Sequence, residues 1–183
     1  MKKKLKTVAT LLMISGMVLC WSSACKKVIE DLLTFNIDYS SSFTVPSAVG
    51  VNTPFNVPTP PVQTNASQKF QNNGTSKDKV KNIILKKLTL NITAPSQANF
   101  KMFKSIKLYI SASGQPKKLL AESGEISTAA GKTLTLTPTP DNLDSYIKQD
   151  EFEVEAEVIM REVPLYEITF RADMTFQVTA DPL

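Results

Sequence analysis

Histidine is absent from all 183 residues, and the chain holds only two cysteines, one tryptophan and six glycines. Cys20, Cys25 and Trp21 all fall within the first 25 residues. Beyond them neither a Ser-His-Asp nor a Cys-His constellation can be assembled, and zinc loses its two preferred ligand types. Glycine is too scattered for a phosphate-cradling loop, and no D-x-D-x-D-G calcium loop occurs. The composition therefore implies no metal site and no cofactor. The longest apolar run, TVATLLMISGMVL, has thirteen residues. That is short of the ~20 a helix needs to cross a hydrocarbon core.

Around that run the layout is informative. MKKKLK precedes it, and the small residues Ser22, Ser23 and Ala24 lead into Cys25. A basic start, an apolar stretch and a small-residue end make a secretory signal. The end resembles the lipobox of bacterial lipoproteins, in which a cysteine is acylated and becomes the first residue of the mature chain. Ser22 departs from that pattern, where leucine is usual. Cys20 is the rival attachment point, but Leu19 before it is bulky where the family has a small residue, so Cys25 is preferred. An ordinary signal peptide with two incidental cysteines is the alternative. The resemblance implies a membrane partner reached through a lipid anchor at Cys25. Lys26 stands where an inner-membrane retention signal has aspartate, which favours the outer membrane. In layout the rest of the chain is similar to the small β-rich lipoproteins of bacterial envelopes.

Removing a leader of residues 1–24 changes the charge argument. The whole chain has 21 Lys and Arg against 17 Asp and Glu, but Lys2, Lys3, Lys4 and Lys6 lie in the leader, and from Cys25 onward the balance is even. The apparent basicity belongs to targeting, and no nucleic-acid partner is expected. The roughly 159 residues that remain suffice for one domain with a sizeable core and no disulfide.

Residues 25–33 form a tether or short helix, with Val28, Ile29, Leu32 and Leu33 at helical spacing. Strand patterns follow through residues 34–183, read as a single β-sandwich domain. FNIDYSSSFTV alternates Phe35, Ile37 and Tyr39, with a break expected at the serines before Phe43 and Val45. The proline-rich stretch 46–81 is expected to lie along the domain and pair intermittently, because proline removes ladder donors. Leu88, Leu90 and Ile92 alternate in one strand, and Ile106, Leu108 and Ile110 in another, with a single helical turn at Phe100–Phe103 between them. Short strands are expected at 117–122 and 132–137. Asp141 is the expected N-cap of a short helix through Leu143 and Ile147. EFEVEAEVIM alternates strictly, and YEITFRADMTFQVTA keeps phase for fifteen residues. At ~3.3 Å per residue the latter is too long for a small domain, so a bulge is expected near Ala172 or Asp173. One-faced strands without long helices indicate an all-β, antiparallel two-layer sandwich with one or two short connecting helices. An immunoglobulin-like arrangement of seven to nine strands is expected.

Candidate functional residues are few. Glu151, Glu153, Glu155 and Glu157 occupy every second position of one strand and share a face, with neighbours ~6.5–7 Å apart. That spacing is near the carboxylate separation of inverting glycosidases and is compatible with a hard cation. Such sites draw their carboxylates from different elements, whereas a ladder on one strand is more often a solvated face. Lysines such as Lys86, Lys87 or Lys107 are expected beside it, because residues 69–132 carry net +9 and residues 133–183 net −8. Tyr109, on the outward phase of its strand, is the one aromatic platform for a glycan, although half-exposed tyrosines are ordinary. The sequence favours a lipid-anchored, non-enzymatic envelope protein acting as a structural or interaction module. A glycan- or ligand-binding accessory lipoprotein is the alternative, and a carboxylate-dependent hydrolase the remote one.

Overall fold

The structure is a computed structural model that describes residues 34–180. The leader, the tether and Cys25 lie outside the described residues. The chain begins with β1 (Thr34–Val45), β2 (Pro54–Pro58) and β3 (Val62–Gln63), then a helix α1 (Ala66–Asn72). The long β4 (Val80–Ala94) follows, and a 3-10 turn (Phe100–Met102) leads into β5 (Phe103–Ala112), β6 (Gln115–Glu122) and β7 (Thr133–Pro138). The last elements are helix α2 (Asp144–Ile147), β8 (Glu151–Met160) and β9 (Ile168–Ala180). All strand pairings between these elements are antiparallel.

The strands lie along one path, β1-β9-β4-β7-β6-β5-β8-β2, with β3 added beside β8. The path folds over where β6 meets β7 through Ala121–Pro138 and Glu122–Thr137. One layer is then β1-β9-β4-β7, and the facing layer is β2-β8-β5-β6. The expected two-layer antiparallel sandwich is what forms. Its connectivity is a double Greek key, the jelly-roll order, in which successive strands mostly alternate between layers.

Two aromatic clusters join the layers. Tyr39 on β1 and Phe176 on β9 meet Phe152 of the opposite layer at centroid distances of 5.4 and 6.1 Å. Toward the other end, Phe170 on β9 stacks on Phe43 at 5.0 Å and meets Phe103 of β5 at 5.4 Å. Phe100 of the 3-10 turn, where a single helical turn was expected, closes that end, 5.6 Å from Phe170.

Several local expectations need correcting. The serines do not break β1: Ser41 keeps the inward phase, buried opposite Ala172, and pairing with β9 runs without a slip from Thr34 to Val45. The long last strand carries no bulge of its own on that side; curvature enters through β4, whose register against β9 shifts at Lys81/Ile84, Leu85/Lys87 and Ile92/Ala94. The cause is visible in VKNIILKKL, where the pairs Lys81-Asn82 and Lys86-Lys87 each insert an extra exposed residue between buried ones. Asn82 absorbs one of these in the left-handed region at φ 55°. Tyr166 falls outside β9. Asp141 does not cap α2; Asn142 Oδ1 accepts from Asp144 N at 2.8 Å. Asp141 instead pairs with Lys118 at 2.9 Å, and that contact holds its carboxyl below the usual range.

Tyr39 gives the fold an alkaline limit. Its buried hydroxyl donates to Thr64 O at 2.9 Å, and burial pushes its pKa well above the ordinary tyrosine value. Above pH ~10 the unfolded chain loses this proton while the folded chain keeps it, so stability falls as pH rises. The expected slope from this group is up to about 1.4 kcal/mol per pH unit. Tyr39→Phe, measured by urea unfolding from pH 8 to 11, is expected to flatten that fall while costing a hydrogen bond at neutral pH. Identical alkaline slopes in the two proteins would refute the assignment.

Candidate functional site

Strict alternation in β8 buries Phe152, Val154, Ala156, Val158 and Met160 and turns Glu151, Glu153, Glu155 and Glu157 outward from the second layer. The strands on either side decide what these carboxylates meet. Across from Glu157 lie Lys107 on β5 and Asn56 on β2, and across from Glu155 lie Tyr109 and Pro58. Ser111 faces Glu153, and Gln63 of β3 faces Glu151.

Two of the four carboxylates have cations. Lys107 Nζ stands 4.0 Å from Glu157 Oε1, as the charge distribution predicted. Lys117 reaches across from β6 to ion-pair with Glu155. Both pairs are partly solvated, so each contributes about 0.2–1 kcal/mol. Lys86 and Lys87 do not take part, because β4 belongs to the other layer. Lys117 was the cation missed. It also sits over the Tyr109 ring, 4.7 Å from the centroid, so the proposed aromatic platform already carries a cation on one face.

On β5 the ladder meets no further carboxylate. The positions of β5 opposite it are Lys107, Tyr109 and Ser111, none a carboxylate. Among the described residues no three His, Cys, Asp or Glu side chains gather as a metal site. What the ladder does offer is an end, Glu151 and Glu153, that no cation neutralises among the described residues. Glu151 and Glu153, both exposed, border an open groove of about 280 Å³ with Ser111 and Ser113. Gln63 Nε2 fixes Glu151 by donating to Oε2 at 2.6 Å.

A second groove, of about 420 Å³, is formed by β3, α1, Lys77 and Asp150, the residue just before β8. Its lining is polar: Gln63, Asn65, Gln68 and Gln71, with Lys77 and Asp150 paired at 3.4 Å. Thr64 secures the β3–α1 corner, its hydroxyl donating to Gln149 O at 2.5 Å and accepting from Ala66 N at 3.2 Å. The helix that forms one wall was not expected from the sequence. Its signal was present in Ala66 and Phe70, four apart and both buried.

No family model matches the chain, and no curated protein matches it. Among solved structures it is similar to turnip yellow mosaic virus at 13% identity and TM-score 0.29, over 82% of this chain and 95% of that one. The capsid of Helicobacter pylori bacteriophage KHP30 gives 10% identity and TM-score 0.32, over 78% and 91%. Carbohydrate-binding modules from the beta-sandwich superfamily give 12% and 0.28, over 76% of this chain and 54% of that one. At such identities and scores the likeness carries no fold, ligand or partner across to this chain.

Proposed function

We propose that this chain is a lipid-anchored, non-enzymatic module of the bacterial envelope, held at Cys25 on the outer membrane, that engages a partner through the outward face of its second layer. The observation that carries the reading is the uneven neutralisation of the glutamate ladder. Glu155 and Glu157 are matched by Lys117 and Lys107, while Glu151 and Glu153 are left facing an open groove. A cationic patch on an envelope protein fits that end, with Tyr109 and its lysine at the margin of the contact.

The test is a pull-down from envelope extracts with the full chain and with Glu151→Lys/Glu153→Lys. A partner recovered by the unmodified chain is expected to drop at least tenfold with the charge-reversed one, and less at raised salt. Equal recovery by both would remove this face from the function. A second reading, a glycan- or ligand-binding accessory lipoprotein, is favoured by the amide-lined groove beside α1.

A further inference from the structure

We propose that the groove between β3 and α1 binds the end of an uncharged oligosaccharide, with Asn65 and Gln71 as the ligand-contacting amides. The proposal deepens the glycan reading and depends neither on the glutamate face nor on the anchor. The groove is open, about 420 Å³ in volume, and the amide side chains that line it are exposed.

The lining selects the ligand. A primary amide presents a donor and an acceptor side by side, and a sugar hydroxyl is likewise donor and acceptor, so amides and hydroxyls pair without either being left unsatisfied. Gln63 and Gln68 are held in place: Gln63 Nε2 donates to Glu151 and Gln68 Nε2 donates to Asn72 Oδ1 at 2.8 Å. Each leaves its carbonyl oxygen free to accept. The side chains of Asn65 and Gln71 have no hydrogen-bond partner among the described residues and keep their full capacity. Asn65 is set in a left-handed conformation, φ 46° and ψ 34°, which places it at the corner between β3 and the helix.

Charge and apolar surface exclude the competing ligand classes. Lys77 is matched by Asp150, so the groove has no spare cation for a phosphate or carboxylate. Its lining has no aromatic side chain and so no anchor of the kind a protein partner needs. With no aromatic platform either, binding rests on directed hydrogen bonds, to the fixed amides of Gln63 and Gln68 and to the unpartnered ones of Asn65 and Gln71. The affinity per site is modest, because the amides are exposed and each hydrogen bond to the sugar replaces one to water.

The test titrates the full chain in detergent with neutral tetrasaccharides of glucose, mannose, xylose, galactose and N-acetylglucosamine, with a polyuronate fragment and inorganic phosphate as charged comparators. At least one neutral saccharide is expected to bind, and neither comparator. Asn65→Gly combined with Gln71→Ala is expected to weaken binding at least tenfold at unchanged thermal stability, because glycine accepts the left-handed conformation of Asn65. Tyr109→Ala is expected to leave binding as it was. Loss of binding with Tyr109→Ala but not with the groove variant would overturn the groove and leave the glycan reading standing. Binding of none of the neutral saccharides would overturn both.

Discussion

Phe170→Ala is expected to lower the free energy of unfolding by about 3–5 kcal/mol, the cost of emptying a closed aromatic site. Phe170 is fully buried and touches Phe43 beside it, Phe103 of the facing layer and Phe100 of the 3-10 turn. Removing the ring takes contacts from both layers at once. The turn that closes this end has only three residues and little means of collapsing into the gap. The loss is a large fraction of the 5–15 kcal/mol that holds a typical domain. Phe35→Ala is the comparison: that ring is only partly buried and meets Phe70 at 6.4 Å, so its loss is expected to cost less than half as much. Urea unfolding of the three proteins gives both values from their midpoints, provided the slopes agree. A Phe170→Ala cost below about 1.5 kcal/mol would mean that the layers do not meet through this cluster.

The faces of the strands were legible because burial follows period two, and β8 and β9 obey it without exception. Their neighbours were not legible. Alternation says which side of a strand is wet, but it does not say whether β9 lies beside β8 or between β1 and β4. An immunoglobulin-like order and a jelly-roll order ask the same pattern of each strand. The bulges were written in plain sight as the paired polar residues of VKNI and LKKL, yet strand length drew attention to β9, where the register with β1 is unbroken. The serines of β1 misled because serine is a turn former by propensity. Here Ser41 meets Ala172, and a small inward residue fits a place where the partner strand is also small.

The candidate sites divide in the same way. The glutamate ladder belongs to one strand and could be read directly, as could Lys107, its register partner on β5. The role of Lys117 follows from a register shift between β5 and β6 after Leu108, which no local pattern announces. The amide groove is assembled from β3, α1, Lys77 and Asp150, segments up to 87 positions apart in sequence. It becomes visible only when β3 is seen pairing with the first residues of β8.

In cells given labelled palmitate, Cys25→Ser is expected to abolish incorporation and to release the protein from the membrane fraction, whereas Cys20→Ser leaves both unchanged. The size of the effect follows from what else could hold the chain. Among the described residues no helix is long and apolar enough to cross a membrane. From Cys25 onward the acidic and basic residues are equal in number, so no net charge draws the domain to an anionic surface. Lys26 and Lys27 supply about 1 kcal/mol each near such a surface, far less than an acyl chain at about 0.8 kcal/mol per buried CH₂. With the acyl chains gone, no second signal remains among the described residues to retain the protein. The tether also sets what the membrane sees. Thr34 is nine positions from Cys25, which limits the reach to roughly 30 Å. The start of β1 packs beside α1 through Phe35 and Phe70, so the groove lies at the end of the sandwich where β1 begins. Label that survives Cys25→Ser and disappears with Cys20→Ser would move the anchor to Cys20 and lengthen that reach by about 17 Å. Label that survives both substitutions would remove the lipid anchor from the proposed function.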